Sequence, residues 1–162
     1  MSATKKWNEM LGRIQVEDEN DVNKTKFYTG LYHALLGRGL ASDVNGQYKL
    51  NGDGTGQIPS DKNGNPRYHH YNTDGMWGGL WNLSQLWAMV YPDYFAEYLQ
   101  SNIDFYKETG WLHDGEAAGV YTNGVQTNFQ GLLIASAYNC GIHNFDWETG
   151  YKAALKNEIA DN

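Results

Sequence analysis

Apolar positions along this chain recur mostly with the period of a helix. Trp7, Met10, Leu11 and Ile14 fall at i, i+3, i+4 and i+7, one face of a first helix. Asn20 or Asp21 can cap a second helix, whose apolar face is Phe27, Tyr28, Leu31, Tyr32 and Leu35 and which Gly37 and Gly39 end. A third helix opens near Thr73 or Asp74 and runs to Tyr91. It carries Met76, Trp77, Leu80, Trp81, Leu83, Leu86, Trp87, Met89 and Val90, apolar nearly all round, which predicts a buried helix. Pro92 suits the first turn of a fourth helix, lined by Tyr94, Phe95, Tyr98, Leu99, Ile103 and Phe105 and stopped at Gly110. A fifth covers Gln126 to Cys140 and ends at Gly141. A sixth starts from Asp146 as cap and carries Trp147, Tyr151, Ala154, Leu155 and Ile159. The expected fold class is all-α, with about six helices in antiparallel pairs.

The connections are unequal. Links two-to-three and four-to-five are long, and antiparallel neighbours would bring both to one end of the array. Loops beyond about 12–15 residues in a compact domain are usually functional or disordered, so that end is the place to look for a site. The first link, residues 37–72, is dense in turn signals: Asn45-Gly46, Asn51-Gly52, Asp53-Gly54 and Asn63-Gly64. Gln47 to Leu50 suits a short strand. The second link, residues 110–125, holds Trp111, His113, Asp114, Glu116, Tyr121 and Asn123.

Composition narrows the function. The 162 residues suffice for one domain, and 1–162 reads as a single helical domain. Twelve Lys and Arg against 19 Asp and Glu give a net charge of −7, which argues against a general binder of nucleic-acid backbones. Only 19% of residues are charged, yet mean hydropathy is −0.65, so amides, hydroxyls and glycine carry the polarity. Aromatics make up 14%, with six Trp and 12 Tyr, which excludes a disordered chain. Such surfaces suit sugars, which offer hydroxyls and flat C–H faces. A lone cysteine, Cys140, allows no internal disulfide and reads as a buried apolar thiol. No apolar run approaches the ~18 residues of a membrane span, and the first six residues lack the apolar core of a secretory signal.

Candidate chemistry is sparse. Asn51-x-Asp53-x-Thr55-Gly56-x-Ile58 resembles the first half of a calcium loop, but Lys62 stands where the twelfth-position acid belongs, so a turn cluster is the reading. Tyr68-His69-His70-Tyr71 has no acid at ligand spacing and reads as a loop of stacked aromatic and imidazole rings. His33 reads as a hydrogen-bonded face residue. No phosphate-cradling glycine loop, CxxC pair or nucleophile elbow is present. Glycoside hydrolysis needs two carboxylates, and Asp74, Asp114 and Glu116 are the acids nearest the predicted loop ends. Asp74 also suits a helix cap and Asp114-Gly115 a turn, whereas Glu116 has the weakest structural reason. Trp77 at a helix start and Trp111 in a loop are candidate sugar-stacking platforms. Asp74, Trp77, Trp111, Asp114 and Glu116 are thus the candidate substrate-binding residues, with no catalytic residue and no metal ligand assigned.

Phe27-Tyr28-Thr29-Gly30-Leu31-Tyr32-His33, preceded by Trp7, Leu11 and Ile14-x-Val16, resembles the opening of the helical domain of glycoside hydrolase family 92, a family of exo-acting α-mannosidases. The likeness continues through Tyr71-Asn72-Thr73-Asp74-Gly75-Met76-Trp77, Tyr91-Pro92, Gly110-Trp111-Leu112 and Ala137-Tyr138-Asn139-Cys140-Gly141-Ile142, then Phe145-Asp146. The resemblance implies half of an (α/α)6 toroid, a piece of a larger catalytic domain whose general acid, general base and calcium site lie in the later half. For the parent enzyme it implies calcium-assisted, inverting hydrolysis of α-mannosides and export from the cell. For this chain it implies no cofactor and a part of the sugar pocket. The family's Trp-Asp-Thr-x-Arg pattern is not kept: Gly78 stands at the Asp and Trp81 at the Arg. The expected partners are a mannoside carbohydrate, neither nucleic acid nor membrane, and either a second copy or the missing C-terminal half, since a half toroid exposes two flanks. The alternatives are a non-catalytic carbohydrate-binding helical module and a structural or association domain.

Overall fold

The computed structural model describes residues 2–36, 39–73, 75–121 and 128–160. The chain forms two compact units, Met1–Gly39 and Leu40–Asn162.

The first unit is a pair of helices, α1 (Ala3–Leu11) and α2 (Asp21–Leu36). Ser2 caps α1 by accepting a hydrogen bond from Lys5 N at 3.3 Å. Gly12 closes α1 before Ile14, so Ile14 lies beyond the helix although it continues the apolar spacing. It still serves the pair: the Tyr28 hydroxyl donates to the Ile14 carbonyl at 3.2 Å. Trp7 and Tyr32 pack their rings 4.7 Å apart. Asn20 accepts from Val22 N at 2.9 Å, as the capping pattern predicts for α2. Gly37, expected to end that helix, lies outside the described residues.

The second unit holds α3 (Met76–Gly79), α4 (Leu83–Val90), α5 (Pro92–Thr109), α6 (Phe129–Asn139) and α7 (Trp147–Ile159). Two small antiparallel hairpins accompany them. One pairs β1 (Gln47–Lys49) with β2 (Thr55–Gln57), and the other pairs β3 (Glu116–Ala117) with β4 (Val120–Tyr121). The first strand was legible in the sequence; β3 and β4, two residues each, were not. The long third helix of the sequence reading is in fact α3 and α4. Gly78 and Gly79 stand at the break, and each costs roughly 1 kcal/mol against alanine inside a helix. Nor is that segment buried all round: Trp81 and Met89 face solvent. Cys140 is exposed rather than buried, because α6 stops at Asn139 and the cysteine is its cap. No helix among the described residues is long and apolar enough to cross a membrane.

The core is organised on α5, which packs against α4, α6 and α7. Phe95, Tyr98, Leu99 and Ile103 on this helix are fully buried. Polar side chains of this helix are buried as well, and three of them pin backbone or side chains from elsewhere. Ser101 Oγ accepts from Tyr71 N at 2.9 Å, Gln100 Oε1 accepts from Asp146 N at 2.9 Å, and the Tyr68 hydroxyl donates to Asp104 at 2.8 Å. Asp146 in turn caps α7, as predicted, by accepting from Thr149 N.

Asp104 gives the first testable consequence. Burial raises its carboxyl above the usual range and outweighs the hydrogen bonds from Gln100 and Tyr68 and the charges of Lys107 and His70. The folded chain then holds a proton that the unfolded chain has released. Its contribution is therefore complete below the unfolded value of about 3.9 and is lost as pH rises through the raised folded value. Asp104→Asn removes that loss. The stability of wild type minus that of the variant, from urea unfolding across acidic pH, should fall as pH rises. A flat difference would contradict the assignment.

Candidate functional site

The two long links meet along residues 70–73. On one side, Ala41 N donates to the His70 carbonyl at 2.7 Å and His70 N donates to Ser42 Oγ at 3.1 Å. On the other, Thr73 N donates to the Glu116 carbonyl at 2.8 Å, and Glu116 N donates back to Thr73 Oγ1 at 3.1 Å. Ala118 N adds a bond to Asn72 Oδ1 at 2.8 Å. The segment leading into α3 is thereby held from both flanks.

Its keystone is a buried pair. His70 Nε2 lies 3.1 Å from Glu116 Oε2, and the two residues are 1% and 2% exposed. The Tyr48 ring from β1 stacks on the imidazole at 4.1 Å with an 11° tilt. Ring stacking is what the Tyr68–Tyr71 segment predicts. Burial, then the charges of Asp104, Glu108 and Glu116, push the Tyr48 phenol up to about 12. The neighbouring His69 Nδ1 sits 3.0 Å from Glu97, which also accepts from the Tyr71 hydroxyl at 3.2 Å. Burial first, then the Glu97 charge, raise the Tyr71 phenol further still. Both histidines thus have acid partners, but from 46 and 28 residues away, where sequence spacing gives no signal.

The candidate residues occupy different settings. Asp74 lies outside the described residues; the cap position of α3 belongs to Gly75, in a left-handed conformation at φ 67°. Trp77 stands on α3 at 39% exposure. Trp111 follows the end of α5 and lies under Lys156 of α7, whose ammonium is 4.3 Å from the ring centroid and donates to the Gly110 carbonyl at 2.6 Å. Asp114 and Glu116 are both sealed from solvent. His113, between Trp111 and Asp114, is held by Thr109 at 2.9 Å, and burial lowers its imidazole below the ordinary value against the charge of Asp114. The fold therefore brings Glu116 beside Thr73, four residues before Trp77, and keeps Trp111 against α7. The carboxylate of Glu116 is committed to His70.

Among the described residues, no group of three or more His, Cys, Asp or Glu could hold a metal ion. The half calcium motif forms the β1–β2 turn and β2 itself, and in the turn Leu50 N donates to the Gly54 carbonyl at 3.3 Å and Asn51 N donates to Glu108 at 2.6 Å.

Comparison with known proteins gives a consistent result. The family model for the glycosyl hydrolase family 92 catalytic domain matches residues 1–162. A family GH92 α-mannosidase from Bacteroides thetaiotaomicron superposes with a TM-score of 0.83 at 20% identity, covering 96% of this chain and 20% of that one. The same enzyme in complex with mannoimidazole gives 0.81 at 20% identity, with the same coverage. A family GH92 inverting mannosidase from Bacteroides thetaiotaomicron VPI-5482 gives 0.82 at 23% identity, covering 99% of this chain and 21% of that one. This chain spans about a fifth of the length of these structures. No curated protein matches.

Proposed function

The chain belongs to glycosyl hydrolase family 92, and we propose from that premise that it forms part of the sugar pocket of an enzyme acting on α-mannosides. The observation that carries the reading is the family match over all 162 residues. The mannosidases with this fold support it, one of them bound to mannoimidazole.

In this reading the chain is half of an (α/α)6 toroid, completed by a C-terminal half or by a second copy. It offers Asp74, Trp77 and Trp111 to the substrate. Asp114 and Glu116 shape the pocket from beneath, since neither carboxylate has a surface from which to reach a glycosidic bond. Inverting hydrolysis needs one carboxylic acid and one carboxylate spaced to admit a water. In this reading those groups, and any calcium, come from the part of the relatives' length that this chain does not span. What this chain's residues do is bind and orient. Thr73, His70 and Glu116 hold the segment that carries the aromatic face of α3.

Sealed carboxylates equally favour a second reading, a carbohydrate-binding module without turnover. One experiment separates the two. The complete native polypeptide is assayed on an aryl α-mannoside with calcium, beside equilibrium binding of a mannoside. Hydrolysis with inversion is the expected result. Binding without turnover selects the module, and neither binding nor turnover overturns both.

A further inference from the structure

We propose that Asn51 is a self-modification site, at which the Gly52 amide nitrogen attacks the Asn51 side chain and the asparagine becomes aspartate or isoaspartate. The sequence holds four Asn-Gly dipeptides. Asn45-Gly46, Asn51-Gly52 and Asn63-Gly64 are described, and Asn123-Gly124 lies outside the described residues. Glycine has no side chain to shield its own nitrogen, so the three share one intrinsic chemistry. All three asparagines are exposed in this chain, so exposure does not choose among them. The glycine amides do. Gly46 N donates to the Asp43 carbonyl at 2.9 Å, and Gly64 N donates to the Asp61 carbonyl at 3.1 Å. Each of these nitrogens must leave its acceptor before it can attack. Gly52 N makes no hydrogen bond to any described residue. The Asn45 turn is held further, because Gln47 N donates to Asn45 Oδ1 at 3.1 Å and a Cβ at Gly46 would stand 2.9 Å from Pro66 Cγ. At Gly52, with φ 87°, a Cβ would meet nothing within 4 Å.

The step is intramolecular and needs only water as co-reactant, so no partner has to reach the turn. The Gly52 nitrogen loses its proton to solvent base and bonds to Asn51 Cγ. The bond from Cγ to the side-chain nitrogen breaks, and that nitrogen takes up a proton and leaves as ammonia. Water then opens the five-membered succinimide at either carbonyl. Opening at the main-chain carbonyl gives isoaspartate, and opening at Cγ restores a normal backbone with aspartate. The sum is one water gained and one ammonia lost. The product puts a second carboxylate beside Glu108, which now accepts from Asn51 N at 2.6 Å and ties the turn to α5. Isoaspartate also lengthens the main chain by one carbon within the turn. The β3–β4 turn leans on the same strand end, since a Cβ at Gly119 would lie 2.7 Å from Lys49 Cγ and 3.0 Å from the Leu50 carbonyl. Conversion thus loosens the turn at the place where the two hairpins meet.

The test is peptide mapping by mass spectrometry, with the complete native polypeptide kept warm at mildly alkaline pH, beside the same polypeptide in urea. In the folded protein, conversion at Asn51 should outrun conversion at Asn45 and at Asn63 by about fivefold to tenfold, the factor that freeing one hydrogen-bonded amide represents. In urea no glycine amide is held, and the three rates should fall within about threefold of one another. Asn51→Gln, whose ring would have six members, should leave that peptide unconverted on the same timescale. The converted fraction, separable by its extra negative charge, should exchange the amide hydrogen of residue 51 faster; unchanged exchange would overturn the loosening of the turn. If Asn51 in the folded polypeptide converts no faster than Asn45 and Asn63, or not at all, the site is overturned. A lead for Asn51 that persists undiminished in urea overturns it too, since the cause would then be sequence and not the fold.

Discussion

Removing either partner of the buried His70–Glu116 pair should cost about 3–5 kcal/mol of folding stability, enough to unfold a chain of ordinary stability. His70→Ala leaves a carboxylate sealed at 2% exposure with no imidazole in reach, and Glu116→Ala leaves an imidazole sealed at 1% whose Nδ1 already has no hydrogen-bond partner. A buried charge that loses its partner keeps its full desolvation penalty, which is why single removal is costlier than the pair is stabilising. Glu116→Gln keeps an acceptor for the imidazole N–H and should cost only about 1–2 kcal/mol. The double variant His70→Ala, Glu116→Ala should cost less than the sum of its parts, because neither orphan remains. Urea unfolding of the four variants measures this. Strict additivity, or single variants within about 1 kcal/mol of wild type, would show that the pair does not hold the loops. The effect should also spread. His70 carries the Tyr48 ring of β1 and Glu116 begins β3, so hydrogen exchange should rise in both hairpins together.

That pair also marks the limit of what the sequence discloses. The helices of the second unit were legible because their apolar residues repeat with period 3.6 and their ends carry local chemistry. Pro92 opens α5, Gly110 closes it at φ 83°, and Asp146 caps α7. The β1–β2 hairpin was half legible, through Gln47–Lys49 and its glycine-rich turn. What failed were features fixed by partners far along the chain. Glu116 looked free because nothing within a few residues engages it; its partner is His70, 46 residues earlier. The Trp-rich stretch looked buried because periodicity reports hydrophobicity, not which side the neighbours occupy. Two glycines then split it and turn Trp77 and Trp81 outward. Cys140 was misjudged for a related reason, since a residue one step past a helix end no longer follows the helix's face. As for Asp74, the acid closest to the aromatic face of α3 in sequence, it lies outside the described residues.

The three tryptophans of that stretch also yield the second large prediction. Trp87→Ala should cost about 3–5 kcal/mol, whereas Trp81→Ala should cost no more than about 0.5 kcal/mol. The residue type and the deleted atoms are identical, so the difference isolates burial. Trp87 is 2% exposed and touches Tyr94 at 5.0 Å, Tyr98 at 5.0 Å and Phe95 at 6.1 Å between ring centroids, two of these rings being fully buried themselves. Deleting its ring opens a cavity between α4 and α5 that neighbours held by the central helix cannot collapse to fill. Trp81 at 77% exposure leaves no cavity. A further variant dissects the cost. The Trp87 indole N–H is buried without a hydrogen-bond partner. Trp87→Phe removes that orphan donor while keeping one aromatic ring in the cage. Relief of the unsatisfied group, about 1–3 kcal/mol, opposes the loss from the smaller ring, so Trp87→Phe should lie much nearer wild type than Trp87→Ala. Thermal unfolding of the three variants gives the order: Trp81→Ala least affected, Trp87→Phe next, Trp87→Ala most. If Trp81→Ala proved as destabilising as Trp87→Ala, the outward placement of the α3 aromatic face would be wrong, and with it the surface to which a sugar is proposed to bind.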